Sequence, residues 1–233
     1  MAEAVPARMM SALILRALVD ELVLPALVAA GSPIDMVWDP TVRLMERLRG
    51  GETADGIVAI DWAIDELAAA GRIAPGSRRP LARAAFGIAV ARGAAKPDIS
   101  DAARLRETLL AVPSLVYSRT GASGLYFERL IDRLGIGEAI RAKAIVIPAG
   151  LTGETVARGE ALLAVQQVSE LLAVPGIDIL GPFPADVQET TDFSAAIFAD
   201  AADPAGARAF VDQLFTARLR EAYLANGLKP LFD

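Results

Sequence analysis

Along almost the whole chain, short apolar runs alternate with stretches whose apolar positions recur every three or four residues. The apolar runs predict strands at Ala7–Met10, Ile34–Trp38, Gly56–Ile60, Phe86–Ala91, Leu115–Ser118, Ala144–Ile147, Leu162–Val165, Ile177–Leu180 and Phe193–Ala199. The helical period predicts Leu13–Ala30, Thr41–Gly50, Ala63–Ala70, Asp101–Ala111, Gly124–Leu134, Thr152–Arg158, Ser169–Leu172, and Pro204–Asn226 with a break near Thr216. Strands alternating with helices of this length form βαβ units, so the expectation is an α/β protein with mainly parallel sheets flanked by helices. No internal repeat or low-complexity tract interrupts the pattern.

The stretch Met9 to Gly31 is apolar enough to test as a membrane span. Arg16, Asp20 and Glu21 interrupt it, whereas a span needs roughly 20 almost uncharged residues. The leucines at 13, 15, 18, 22 and 24 suit a core helix docking one face on a sheet, and no membrane insertion is expected. Glu3 ahead of the apolar run and Arg16 within it do not suit an export signal. The expected compartment is periplasmic if a signal peptide preceding these residues has been removed, and cytoplasmic otherwise.

Two absences narrow the chemistry. None of the 233 residues is Cys or His. That excludes disulfides, thiolate nucleophiles, Cys- or His-ligated metals, Ser-His-Asp triads and imidazole proton shuttles. No metal and no cofactor is expected. Any catalysis must use Asp, Glu, Lys, Arg, Tyr, Ser or backbone dipoles. The net charge of −6 and the lack of a basic tract argue against nucleic acid as a partner.

Four junctions share one design, a predicted strand ending in small or hydroxyl residues just before a predicted helix. They are Met10-Ser11-Ala12, Asp39-Pro40-Thr41, Ser118-Arg119-Thr120-Gly121-Ala122-Ser123-Gly124, and Gln166-Gln167-Val168-Ser169. A helix start offers unpaired N–H groups and about half a positive charge, which suits an anion. Ser, Thr and Asp at such positions are also ordinary helix caps, and Pro40 suits a first turn. The loop from Gly121 to Gly124 is the sharpest of the four, and it lacks the further Gly and Lys of nucleotide-binding loops.

The chain resembles the molybdate-binding-protein-like type II periplasmic binding proteins. The resemblance runs over nearly the whole chain. It rests on the Met10-Ser11-Ala12 start of the first helix, the run from Arg47 to Asp55, Ala94-Ala95-Lys96-Pro97-Asp98, the run from Tyr117 to Gly124, and Val165-Gln166-Gln167-Val168-Ser169-Glu170. That last segment and Gly181-Pro182-Phe183-Pro184-Ala185 are more similar to a divergent branch that includes aconitate isomerase. The resemblance implies two lobes, each a mainly parallel sheet flanked by helices, with a ligand cleft between them. Lobe I would comprise 1–83 and 195–233, and lobe II 84–194, inserted through two hinge crossings.

Carried over by position, the resemblance implies ligand contacts from Ser11, Ala12, Thr41, Ser118, Arg119, Thr120, Gly121, Ala122, Ser123, Ala149, Gln166 and Gln167. The family's ligand-binding Tyr falls on Gln167, exchanging a phenol donor for an amide that both donates and accepts, which points away from molybdate. Arg119 suits a carboxylate, which a guanidinium grips with two parallel bonds. The implied function is a small-anion binding protein, for an oxyanion or a carboxylate, whose lobes close over the ligand. Its partners would be that ligand and an ABC permease, and the protein would be a monomer. The alternative is a cofactor-independent isomerase moving a proton across three carbons of a polycarboxylate, with Asp61 as the base; Asp39, Tyr126 and Glu128 are further candidates. Asp39 and Asp61 read equally well as helix caps. Trp38, Phe183 and Phe193 read as core packing, and Trp62 as packing or a ligand-facing ring.

Overall fold

A computed structural model describes residues 6–233. In chain order the strands are β1 (Ala7–Ser11), β2 (Ile34–Trp38), β3 (Gly56–Ile60), β4 (Arg79–Ala91), β5 (Leu115–Ser118), β6 (Ala144–Ile147), β7 (Leu163–Gln167), β8 (Ile177–Pro182), β9 (Thr190–Ile197) and β10 (Leu228–Pro230). The α-helices are α1 (Arg16–Leu18), α2 (Leu24–Ala29), α3 (Thr41–Arg49), α4 (Asp61–Ala69), α5 (Ala102–Ala111), α6 (Ala122–Arg133), α7 (Gly137–Arg141), α8 (Thr152–Ala157), α9 (Val168–Leu172), α10 (Pro204–Gln213) and α11 (Ala217–Ala225). The chain divides into two compact units. The first runs to Arg83 and resumes at Asp192, and the second is Ala84–Thr191.

In the first unit the strand order is β2-β1-β3-β9. The first three strands are parallel, with Met9 abreast of both Met36 and Gly56. Strand β9 runs antiparallel to β3, pairing Ala196 with Ile57. Met10, Leu44, Met45, Ile57, Ile64 and Phe198 form a fully buried core between this sheet and the helices α3 and α4. The buried Asp55 carboxylate accepts from the backbone N–H of Arg8 at 2.7 Å and of Asp203 at 2.8 Å, so it ties β1 to the approach of α10.

The sequence predicts one continuous helix over Leu13–Ala30. The segment instead runs through a 3-10 turn (Leu13–Leu15), α1, a π turn (Val19–Val23) and α2. Pro25 is the physical reason, because it has no N–H and its ring crowds the carbonyl four residues back. The Leu24 N–H reaches five residues back, to the Val19 carbonyl, and the π turn absorbs the misfit. The break expected near Thr216 is present: α10 ends at Gln213, and the Thr216 side chain accepts from the Leu219 N–H to start α11.

In the second unit β4, β7, β5 and β6 are neighbours in that order. Strands β5, β6 and β7 are parallel to one another, and β4 runs antiparallel to both β7 and β8. Its aliphatic core encloses a cluster of aromatic rings. Phe86 stacks on Tyr126 with centroids 5.2 Å apart, and Tyr117 and Phe183 pack around Phe127. Strand β4 begins seven residues before the predicted Phe86–Ala91, because Arg79, Pro80 and Arg83 hide its alternating pattern. Helix α7 and strand β10 were not predicted; both are too short for a periodic signal.

The chain passes between units within β4 and again within β9. There, on the first unit, the Arg83 guanidinium grips the Asp192 carboxylate through two bonds of 2.6 and 2.8 Å. Those bonds hold the Asp192 carboxyl below its ordinary range.

The start of α6 is the tightest packing in the second unit. A Cβ on Gly124 would fall inside the van der Waals sphere of the Ser118 carbonyl oxygen, a backbone atom with nowhere to go. Gly124→Ala is therefore expected to lower the unfolding free energy by about 3 kcal/mol, at the upper end of overpacking costs. Urea unfolding reads this, and wild-type stability in the variant would contradict the packing.

Candidate functional site

Each unit brings the ends of its parallel strands and the starts of the following helices to one sheet edge. In the first unit Ser11 closes β1 and is fully buried, its hydroxyl donating to the Ala12 carbonyl at 3.0 Å. Ala12 is extended (φ −61°, ψ 150°), and its N–H bonds the Val58 carbonyl at 2.9 Å. One strand over, Pro40 caps α3 without a side-chain bond, and the buried Thr41 hydroxyl accepts from the Ile60 N–H at 3.3 Å. The structure thus brings Ser11, Ala12 and Thr41 together at neighbouring strand ends.

Neither aspartate near this edge is a cap. Asp39 reaches sideways to the Arg47 Nε at 2.7 Å. Asp61 is the first residue of α4; its carboxylate accepts from the buried Ser194 hydroxyl at 2.6 Å and pairs with Arg78 at 3.4 Å. Trp62 beside it is 44% exposed, whereas Phe183 and Phe193 are buried packing residues and Trp38 is half-buried.

In the second unit the edge is formed by Ser118 at the end of β5, Ile147 at the end of β6 and Gln167 at the end of β7. Ser118 is buried, and its Oγ accepts from the Gly121 N–H at 3.1 Å. Gly121 caps α6 with no side-chain bond, so the N–H groups of the first turn have no intrahelical acceptor. The missing Cβ of Gly121 leaves a small cradle, with the Ser118 Oγ 3.2 Å and the Ser123 Oγ 3.8 Å from where that carbon would be. Ser123 Oγ is completely buried and has no hydrogen-bond partner within the chain. Arg119 is exposed, with its N–H on the Ile147 carbonyl at 2.8 Å, and Thr120 donates its hydroxyl to the Pro148 carbonyl at 2.8 Å.

The next two junctions differ in what remains available. Ala149 is half-buried in the turn before α8. The Gln166 amide ties this turn to α9: its oxygen accepts from the Thr152 N–H (2.7 Å) and hydroxyl (2.8 Å), and its nitrogen donates to the Gly150 carbonyl (3.0 Å) and to the Glu170 carboxyl. Gln167 caps α9 through its extended backbone, while its buried Oε1 has no partner in the chain; nor has the Ser169 Oγ. Tyr126 and Glu128 are spent on structure. The buried Tyr126 hydroxyl donates to the Val187 carbonyl, and the Glu128 carboxylate accepts from Tyr117 and from Arg141.

A cavity of about 560 Å³ lies at the opposite end of β7, lined by Val90, Ala94, Pro97, Val112, Leu162 and Leu163 among others. Its walls are apolar, and its polar rim is occupied with itself, as Arg104 pairs with Glu107 and Thr108 bonds the Asp98 carbonyl. It offers an anion little. Among the described residues no cluster of three or more acidic side chains could hold a metal, and no helix is long and apolar enough to cross a membrane.

The family model of bacterial extracellular solute-binding proteins matches residues 15–229. The chain belongs to that family. A curated relative, aconitate isomerase from Pseudomonas sp., is 38% identical over 209 residues, covering 87% of this chain and 79% of the relative. Among solved structures, the periplasmic molybdate-binding protein of Azotobacter vinelandii superposes with a TM-score of 0.76 at 17% identity, covering 95% of this chain and 98% of that one. The sulfate-binding protein SubI of Mycobacterium tuberculosis H37Rv gives 0.70 at 14% identity, covering 98% and 88%. At these identities the two structures share its fold: sheets flanked by helices, as the sequence resemblance implies.

This solute-binding protein has one titratable group that the sequence reading left outside the site. Glu170, in α9, is buried, and desolvation pushes its carboxyl up to about 7; the Gln167 backbone and the Gln166 amide pull only partly the other way. The signal was the mainly apolar run around the segment from Val165 to Glu170, which predicts burial of whatever polar group it carries. With no His in the chain, Glu170 makes stability depend on pH between 4.5 and 7. Below 4.5 the carboxyl is protonated folded and unfolded alike. As pH rises towards 7 the unfolded chain releases the proton and the folded one keeps it, so stability falls, by ~3 kcal/mol at most. Denaturant titrations across pH 4.5–8 are expected to show this decline in wild type and its loss in Glu170→Gln; a flat wild-type profile would contradict the burial.

Proposed function

We propose that this protein binds a small carboxylate or oxyanion at the start of α6 in its second unit. The observation that carries the reading is the Ser123 hydroxyl, buried and without a partner in the chain, beside free helix N–H groups and the bare face of Gly121. A helix start supplies donors and positive potential, and small residues let an anion approach the backbone. The ligand contacts proposed in this unit are Ser118, Arg119, Thr120, Gly121, Ala122, Ser123, Ala149 and Gln167, with Gln166 shaping the 149–152 turn. The first unit carries a comparable set, Ser11, Ala12 and Thr41, at the ends of its own strands. Membership of the solute-binding family supports a periplasmic setting, delivery to an ABC permease and action as a monomer.

Ser123→Ala removes one charge-assisted bond and is expected to weaken ligand affinity 10- to 100-fold, while Ser123→Asp, which puts a negative charge at the helix start, abolishes binding. Calorimetry with cis-aconitate and citrate measures this. Unchanged affinity in both variants would remove the α6 start from the site.

The 38% identical aconitate isomerase favours a second reading, an isomerase acting on a polycarboxylate. In a 1,3-proton shift a base takes a proton from a methylene carbon, the electron pair delocalises through the alkene towards a carboxylate, and a proton returns two carbons away. Asp61, aligned by Ser194 and Arg78, is the candidate base. A proton NMR time course of cis-aconitate in D₂O is expected under this reading to show trans-aconitate vinyl signals with wild type and none with Asp61→Asn. Full turnover in the variant would clear Asp61 of the role, and binding without conversion in wild type would leave the solute-binding reading alone.

A further inference from the structure

The start of α9 holds a buried carboxyl whose two partners in the chain both donate. Gln167 caps the helix, and Glu170, three residues on, turns back to the Gln167 N–H as the acidic residue of a capping box does. Gln166 supplies the second donor. Its amide is oriented by backbone groups, since the Thr152 N–H needs an acceptor and the Gly150 carbonyl a donor, so the nitrogen is the end that meets Glu170. Glu170 pairs with no cation among the described residues. Strand β7 has no charged residue, nor has the part of β4 in this unit, Ala84–Ala91, where Val168 sits over Gly87. The charges on the other elements packed against α9 are engaged elsewhere. Glu154 of α8 pairs with Arg158 at 4.0 Å, and Asp178 of β8 takes the Gly93 N–H at 3.0 Å and pairs with Lys96 at 3.9 Å. Arg119, which follows β5, is exposed and forms no ion pair with Glu170.

This carboxyl stands close to the proposed anion. Continuing the β5–β7 register, which pairs Val116 with Ala164, puts Ser118 abreast of Gln166. One strand spacing and one side chain then separate the α6 start from the Glu170 carboxyl, about 10 Å in all. The Gln166 amide also joins Glu170 to the 149–152 turn, whose Ala149 is among the proposed contacts. An anion at this edge and an ionised Glu170 would repel each other. At an effective dielectric constant of about 20, two unit charges about 10 Å apart disfavour each other about 10-fold. Burial already brings the carboxyl up to about 7, so a repulsion of this size decides its charge near neutral pH.

We infer that this protein takes up its anion together with a proton, and that Glu170 is the residue that holds the proton. This rests on the α6 reading above. When the anion arrives, Glu170 keeps or recovers its proton, so no second negative charge lies buried beside the ligand. The proton comes from solvent and returns to it on release, and no bond of the ligand is made or broken. Linkage gives the sign: affinity falls as pH rises through 7 and is level below about 6, where the carboxyl is already neutral.

Calorimetry of the full chain with cis-aconitate and with sulfate, at pH 7.5 in Mops and in Tris, counts the protons taken up, because the two buffers differ in ionisation enthalpy. Wild type is expected to take up about half a proton per anion and to bind about 5-fold more weakly at pH 8 than at pH 6. Glu170→Gln, neutral at every pH, is expected to lose the protein's share of both effects; sulfate has no proton of its own to gain in this range. Carboxyl ¹³C NMR of glutamate-labelled wild type needs no variant. The one glutamate titrating near neutrality is expected to move its midpoint up by about one pH unit when the anion saturates. No uptake in wild type, equal uptake in Glu170→Gln, or a midpoint that the anion leaves unmoved would overturn the inference while leaving the α6 reading standing. Failure of both anions to bind would overturn the two together.

Discussion

In the second unit the first turn of α6 presses against the end of β5 so closely that residue 124 has no room for a side chain. That contact fixes where the helix begins. With Gly124 against the Ser118 carbonyl, Gly121 falls at the cap, Ser123 turns inward, and the first N–H groups of the helix face the same sheet edge as Gln167. Ser118 holds the arrangement from both ends, its carbonyl meeting Gly124 and its hydroxyl taking the Gly121 N–H. A larger residue at 124 would displace the helix start, and with it the donors on which anion binding depends.

A chain without histidine must keep or move protons with carboxyls, phenols or lysine amines. The phenols here are committed: Tyr117 to Glu128, Tyr126 to Val187 and Arg133, Tyr223 to the Leu214 carbonyl, and burial raises all three above their ordinary range. Two carboxyls stand apart in opposite ways. Asp61 is paired with a cation and a hydroxyl at a partly exposed helix start, whereas Glu170 is buried without a cation and keeps its proton close to neutrality. Asp61 is thus a carboxylate held by polar partners, and Glu170 one whose charge burial disfavours.

Much of the fold is legible in the sequence because apolar strands and amphipathic helices alternate with little overlap; Gly56–Ile60 and Leu115–Ser118 are strands within the predicted bounds. Elements bounded by polar residues were less visible. The predicted strand Leu162–Val165 stops short of Gln166 and Gln167, which complete β7, and helices predicted from Ala63 and Gly124 begin at Asp61 and Ala122. Hydrophobic period does not register polar residues that are buried by tertiary contact. The candidate site was legible as a set of strand–helix junctions. Which of its polar groups are spent and which are free was not, because two adjacent glutamines look identical until Gln166 is seen bonded to Thr152 and Gln167 is seen without a partner. Glu170 was hidden for the same reason: burial, not residue type, gives it its character.

The central claim, that the start of α6 holds the anion, is tested most directly by backbone amide NMR of the ¹⁵N-labelled protein during titration with citrate. The account predicts that the largest, saturable shifts fall on the amides of Ala122, Ser123 and Gly124, in the downfield direction of N–H groups taking a charged acceptor. Shifts confined to the apolar cavity around Val90 and Leu163, with the 122–124 amides unmoved at saturation, would contradict it.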